Sequence, residues 1–132
     1  MGITKFKPTT PSLRHTALVN SDDLTKGVKA PKELLKSKIS TAGRNNHGRI
    51  TVRHRGGGVK RRYRVIDFKR NKFDIPATVK AIHYDPNRSC HIALLAYADG
   101  YRNYILAPLG LKVNDVIVSS ESADIVTGNS KL

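Results

Sequence analysis

The sequence predicts an all-β fold: a small antiparallel barrel preceded by a mostly extended, basic N-terminal arm. Three observations carry that reading. Apolar and polar residues alternate with a period of two in several short segments after residue 48, the connections between these segments are turn sequences, and charge is segregated from apolar residues along the chain. Residues 1–70 hold 18 basic and four acidic side chains and residues 71–132 hold six of each, so the whole formal charge of +14 lies in the first part of a 132-residue chain. Ile, Leu, Val, Phe, Tyr and Met run the other way, with 14 in residues 1–60 and 26 in residues 61–132. The arm is therefore expected over residues 1–60 and the barrel over residues 61–126, with residues 127–132 as a terminal linker.

Along the arm, residues 1–47 have scattered apolar positions, three prolines (Pro8, Pro11, Pro31) and the polar cluster Asn20-Ser21-Asp22-Asp23, a composition that favours extended chain. Pro31 suits a first helical position, and a helix carrying Leu34, Leu35 and Lys38 is expected for about two turns before Thr41-Ala42-Gly43. Over residues 49–55, Ile50, Val52 and His54 alternate with Arg49, Thr51, Arg53 and Arg55, which predicts a strand with a cationic face. After Gly56-Gly57-Gly58 the alternation resumes at residues 63–70, 75–84 and 90–98, the last apolar on both faces. Asp85-Pro86-Asn87-Arg88 is a turn sequence, and Asp99-Gly100 fits a two-residue type I′ hairpin leading into a strand over residues 101–107. Asn114-Asp115 precedes a last short strand at residues 116–119. Short antiparallel strands without a long helix make a small closed barrel, and the oligonucleotide-binding (OB) fold is the commonest version that handles nucleic acid.

Composition narrows the function. No stretch approaches the roughly 18 consecutive apolar residues of a membrane span. The single Cys90 forms no internal disulfide, which excludes disulfide scaffolds and makes a reducing, cytoplasmic setting the expectation. Residues 1–11 lack an apolar signal core and read as mature sequence. The five histidines and Cys90 show no zinc spacing, so no metal or other cofactor is expected, and Cys90 reads as a small buried hydrophobe. No nucleophile stands with a base and an orienting acid, and Gly56-Gly57-Gly58 is neither a Walker loop nor a dinucleotide fingerprint, so neither enzymatic activity nor a small-molecule substrate is expected.

What remains is the cationic run. Arg44, Arg49, Arg53, Arg55, Lys60, Arg61, Arg62 and Arg64 occur together with His47 and His54 and with no carboxylate among them. Six of the seven Lys and Arg residues from Arg49 onward are arginine, whose planar fork grips phosphate bidentately and stacks on bases. An uncompensated cluster of this size repels itself unless a polyanion neutralises it, which points to nucleic acid. Asn45 and Asn46 are candidates for reading bases, Gly56, Gly57 and Gly58 for close backbone approach to phosphate, and Lys69 and Arg70 close the basic stretch. Tyr63, Phe68, Tyr84, Tyr97, Tyr101 and Tyr104 fall mostly in apolar segments, where core packing is the expected role.

The string GRNNHGRITVRHRGGGVKRRYRVIDFKR over residues 43–70 closely resembles the bacterial-type form of the universal large-subunit ribosomal protein two. Tyr84-Asp-Pro-Asn-Arg-Ser89, Ile92-Ala-Leu-Leu95, Tyr97-Ala-Asp-Gly100 and Tyr104-Ile-Leu-Ala-Pro108 resemble it as well. The resemblance implies an OB-type barrel behind a basic arm, both bound to large-subunit ribosomal RNA with neighbouring ribosomal proteins nearby. It carries the family's arm contacts to Arg44, Arg49, Arg53, His54, Arg55, Lys60, Arg61, Arg62 and Arg64. Members of the family continue into a second small barrel and a basic tail; the match is to the N-terminal half, and properties that rest on the second half are assigned to no residue of this chain. The function expected is that of a structural ribosomal RNA-binding module. Its rival is a general single-stranded nucleic-acid-binding barrel, which requires exposed aromatic stacking on a sheet.

Overall fold

The computed structural model describes residues 2–131. Its regular structure consists of short strands, β1 (Ile3–Lys5), β2 (Ala17–Val19), β3 (Leu35–Ser37), β4 (Arg62–Arg64), β5 (Ala77–His83), β6 (Ile92–Tyr97), β7 (Arg102–Leu106), β8 (Val116–Ile117), β9 (Ser119–Ser120) and β10 (Ser130–Lys131), with 3-10 turns at Leu13–His15 and Lys32–Leu34.

The core is an antiparallel sheet in the order β7-β6-β5-β8, curled into the half-barrel of an OB-type fold. Its central strands are buried on both faces. From β6, Ala93, Leu95 and Tyr97 enter one cluster with Ala77, Val79, Ile105, Leu111 and Ile117, while Ile92 and Leu94 enter another with Ile66, Ala81 and Tyr104. A bulge in β5 makes this division possible. Val79 pairs with Leu95 and Ala81 with Leu94, so Lys80 is an extra residue, and the strand switches the face to which it sends its apolar side chains.

The second cluster is covered by the N-terminal segment. Ala30 and Leu34 pack against it. Thr25 donates its amide to the Ile82 carbonyl and accepts the Ile82 amide on Oγ1, both at 3.0 Å. The Leu34 carbonyl takes the Val65 amide at 2.9 Å, and β3 pairs antiparallel with β4. Beyond β4 the chain runs parallel to β7, with Ile66 bridged to Tyr104. Residues 24–37 are thus fastened to the barrel.

Four local expectations are corrected. The helix from Pro31 is a single 3-10 turn followed by β3, because Leu34 turns into the second cluster and the backbone after it is satisfied across β4. Residues 49–55 form no strand: Ile50 and Val52 stay exposed, so their alternation has no core to face, and the backbone bonds locally instead. The strand expected over residues 63–70 is limited to β4 and the Ile66 bridge. The β6–β7 hairpin closes through three residues, with Tyr97 N–H donating to the Tyr101 carbonyl at 3.0 Å and Gly100 N–H to the Tyr97 carbonyl at 3.1 Å. Of the three, only Gly100 has positive φ (+81°), whereas a type I′ turn requires it at both central positions.

Candidate nucleic-acid interface

Residues 43–55 build a loop with its own internal order. The Gly43 carbonyl accepts the amides of Thr51 and Val52 at 2.9 and 3.1 Å and the Thr51 hydroxyl at 3.2 Å. Asn45 Oδ1 accepts the amides of His47 and Arg49 at 3.0 and 2.9 Å, so part of this side chain is committed to the loop. Arg44 donates from Nη1 to the carbonyls of Ala42 at 2.6 Å and Arg55 at 3.3 Å. Gly43 sits at φ +70°, and a Cβ there would meet the Val52 carbonyl oxygen at 2.3 Å; no L-residue with a side chain fits. Folded this way, the loop leaves Asn46, Arg49, Arg53, His54 and Arg55 exposed.

Gly56, Gly57 and Gly58 follow in open space. A Cβ on Gly57 would touch only Ala42 Cβ, at an ordinary 3.7 Å, and on the other two nothing, so the fold itself does not require these glycines. Residues 57–61 form one wall of a groove of about 530 Å³ whose other wall is residues 37–40. A second groove of about 550 Å³ is lined by Lys32, Leu35, Lys36, Ser37, Lys60, Arg61 and Arg62. No carboxylate lines either one. Lys32, Lys36 and Lys38 therefore belong with the cationic run, which the sequence reading missed; the period-two spacing of Lys36 and Lys38 is its trace, visible once residues 35–37 are taken as strand.

The groove is anchored to the barrel through the turn after β5. Asp85 is fully buried and accepts the Asn87 amide at 2.9 Å and Arg88 Nε at 2.6 Å. Thus fixed, Asn87 Nδ2 donates to the Arg62 carbonyl at 2.8 Å, while the Pro86 carbonyl accepts Arg61 Nη1 at 2.9 Å. Arg64, half-buried, donates to the Arg62 carbonyl at 2.8 Å. Arg70 differs from the rest. Its amide bonds Asp67 and its Nη1 the Gly128 carbonyl, both at 2.8 Å, and burial pulls its pKa down against the opposing pull of Tyr97 and Asp67. Lys69 beside it is exposed.

Among the described residues, ion pairs join Lys72 to Asp99 and Arg88 to Asp85, and neither draws on the cationic run. Neither pair offsets its charge. Residues 31–119 match the family model of the RNA-binding N-terminal domain of ribosomal proteins L2. The chain belongs to the ribosomal protein L2 family. The match takes in the loop, both grooves and the curled sheet, so this surface lies in an RNA-binding domain, and ribosomal RNA is the L2 family's partner. The L2 family is one of structural RNA-binding proteins rather than enzymes. No helix among the described residues is long and apolar enough to cross a membrane.

The aromatic residues divide. Tyr97 and Tyr104 are buried as expected, but Tyr63, Phe68, Tyr84 and Tyr101 are exposed, which corrects the assignment of most of them to the core.

Proposed function

We propose that this chain is a structural constituent of the large ribosomal subunit, in which residues 1–60 act as the RNA-binding arm and residues 61–126 as its platform, in support of translation on a cytoplasmic or organellar ribosome. The observation that carries the reading is the cationic surface made by Lys32, Lys36 and Lys38 with the run from Arg44 to Arg64, shaped by a self-ordered loop and two grooves lined without carboxylates. Arg49, Arg53, Arg55, Lys60, Arg61 and Arg62, with Lys36 and Lys38, meet phosphates where RNA helices crowd. Arg44 and Asn45 shape the loop that presents them. Gly56, Gly57 and Gly58 allow the backbone close to RNA. Contacts of this kind go mostly to phosphate, sugar and shape. The platform keeps the groove walls in register, so binding does not have to order them anew. Neighbouring ribosomal proteins are further partners, and no nucleotide is turned over.

Crosslinking in cells followed by mapping of the bound RNA tests this directly. A footprint confined to large-subunit ribosomal RNA is expected; crosslinks spread over messenger or transfer RNA would contradict the proposal.

A further inference from the structure

Phe68 is an anomaly of the barrel surface. It follows Ile66 and Asp67, where the chain is bound tightly to β7, yet the residue is 65% exposed. Its backbone is held on both sides. Asp67 donates its amide to the Tyr104 carbonyl at 2.8 Å and accepts the Asn103 amide group at 2.7 Å and the Arg70 amide at 2.8 Å; Arg70 in turn is tied to Gly128. The guanidinium of Arg88 lies 5.9 Å from the Phe68 ring centre and 6.0 Å from that of Tyr63, which is 36% exposed. Arg88 is itself fixed by the buried Asp85 carboxylate.

Single exposed apolar residues are common and need no explanation. Here two rings and a guanidinium are grouped on rigid supports, beside the strand that carries Arg62 and Arg64. A second cation–ring group differs in degree: Lys72 lies 4.8 and 4.4 Å from the ring centres of Tyr97 and Tyr101, closer than Arg88 lies to its two rings, and Tyr97 is buried, so less ring surface is left open there.

We propose that the Tyr63–Arg88–Phe68 group is a stacking platform for an unpaired nucleobase of the bound RNA, with Phe68 as the ring on which the base lies. The proposal rests on RNA binding by this domain and adds a ligand class to it. The arm takes phosphates of any helix, whereas the platform requires a base out of its stack: a bulge, a loop or a strand end. An aromatic face accepts any base, because each has a π-face, so it selects for an unpaired nucleotide rather than for sequence. A base stacked on Phe68 stands within reach of the cationic strand that holds its phosphate.

The test uses the full chain, which contains no tryptophan. Phe68→Trp places a single indole at the platform, and its emission is followed with two RNAs, a duplex carrying one bulged adenosine and the same duplex without the bulge. Quenching by the bulged RNA alone is expected. Phe68→Ala should weaken binding of the bulged RNA about tenfold, leave the uninterrupted duplex within about twofold, and keep the salt dependence; Phe68→Trp should restore the affinity. The thermal midpoint of each variant is measured on the same preparation, so that affinity is compared per folded molecule. If Phe68→Ala binds both RNAs at full strength and the indole does not respond, the platform proposal falls while the cationic arm stands. An indole that responds only when another ribosomal protein is added also overturns it, in favour of a protein contact. If the unaltered chain binds neither RNA, both readings fall.

Discussion

The curled sheet and the cationic loop keep their shapes by opposite means. In the sheet, side chains such as Val79, Leu95 and Ile92 have no exposed surface, and the two faces of β6 are packed by different clusters. In residues 43–61 nearly every side chain is exposed, and order comes from backbone carbonyls and one asparagine oxygen. Burial supplies the stability of the first, at about 25 cal/mol per Å² of apolar surface. The second does not use burial, which leaves its charges open to the polyanion that the proposed function calls for. The contrast teaches that a cationic segment need not be unstructured to stay exposed: a left-handed glycine and an Asx turn set its course without burying a charge.

Core truncation should separate the regions most sharply. Leu95→Ala is expected to lower unfolding free energy by about 2–5 kcal/mol in denaturant titrations. RNA affinity per folded molecule should be unchanged. Loss of affinity at full folding would show that the sheet does more than support.

Gly43→Ala acts on the other region. The new Cβ collides with the Val52 carbonyl at a φ unsuited to alanine, so the loop is expected to open and RNA affinity to fall by about 1–3 kcal/mol. Barrel stability should stay within about 0.5 kcal/mol of the parent. If calorimetry showed a large drop in stability instead, the loop would belong to the cooperative core.

A smaller effect links the N-terminal segment to the sheet through pH. His83 is buried, with Nδ1 2.7 Å from the Tyr104 hydroxyl, whose own pKa burial pushes up to about 12. Burial, with Arg64 nearby, holds the His83 pKa below its ordinary 6.5, and an opposing contribution from the Val28 backbone does not reverse this. The unfolded chain therefore binds more protons at mildly acid pH, so the stability contributed by neutral His83 is complete above about pH 6.5 and is lost as pH falls through the folded value. Thermal midpoints measured against pH should show a decline below that point that Phe or Gln at position 83 reduces; identical profiles would remove His83 from the coupling.

The smallest effect on stability is expected at Gly57. Its added side chain finds open space, so Gly57→Val should leave the thermal midpoint unchanged while weakening RNA binding by about 1–3 kcal/mol through lost fit. Unchanged affinity at every salt concentration would take Gly57 out of the interface.

Much of this was legible beforehand. The strands β5, β6 and β7 and the turn at Asp85 carry period-two patterns and turn residues that local physics reads correctly, and the charge split located the cationic surface. The bulge at Lys80 was not legible, since its cause is the need to serve two clusters at once. Alternation at Ile50 and Val52 misled because period alone does not show whether a core exists to receive the apolar side. Lys36 and Lys38 were hidden behind a helix reading that pairing with β4 overrode. Phe68 looked like a core residue because hydrophobicity identifies a side chain's preference, whereas its exposure follows from the rigid backbone around Asp67 and Arg70.

On the proposed function the exposed loop and groove, rather than the packed sheet, take RNA mainly through phosphate neutralisation. Affinity for a large-subunit ribosomal RNA fragment measured against salt concentration tests it most directly. Neutralisation of about five phosphates predicts a slope of log affinity against log salt of roughly −3.5 to −4.5, falling by about 0.7–0.9 for each of Arg53, Arg55, Lys60 and Arg61 replaced by alanine. A slope near zero, or one that those four replacements leave unchanged, would contradict the account.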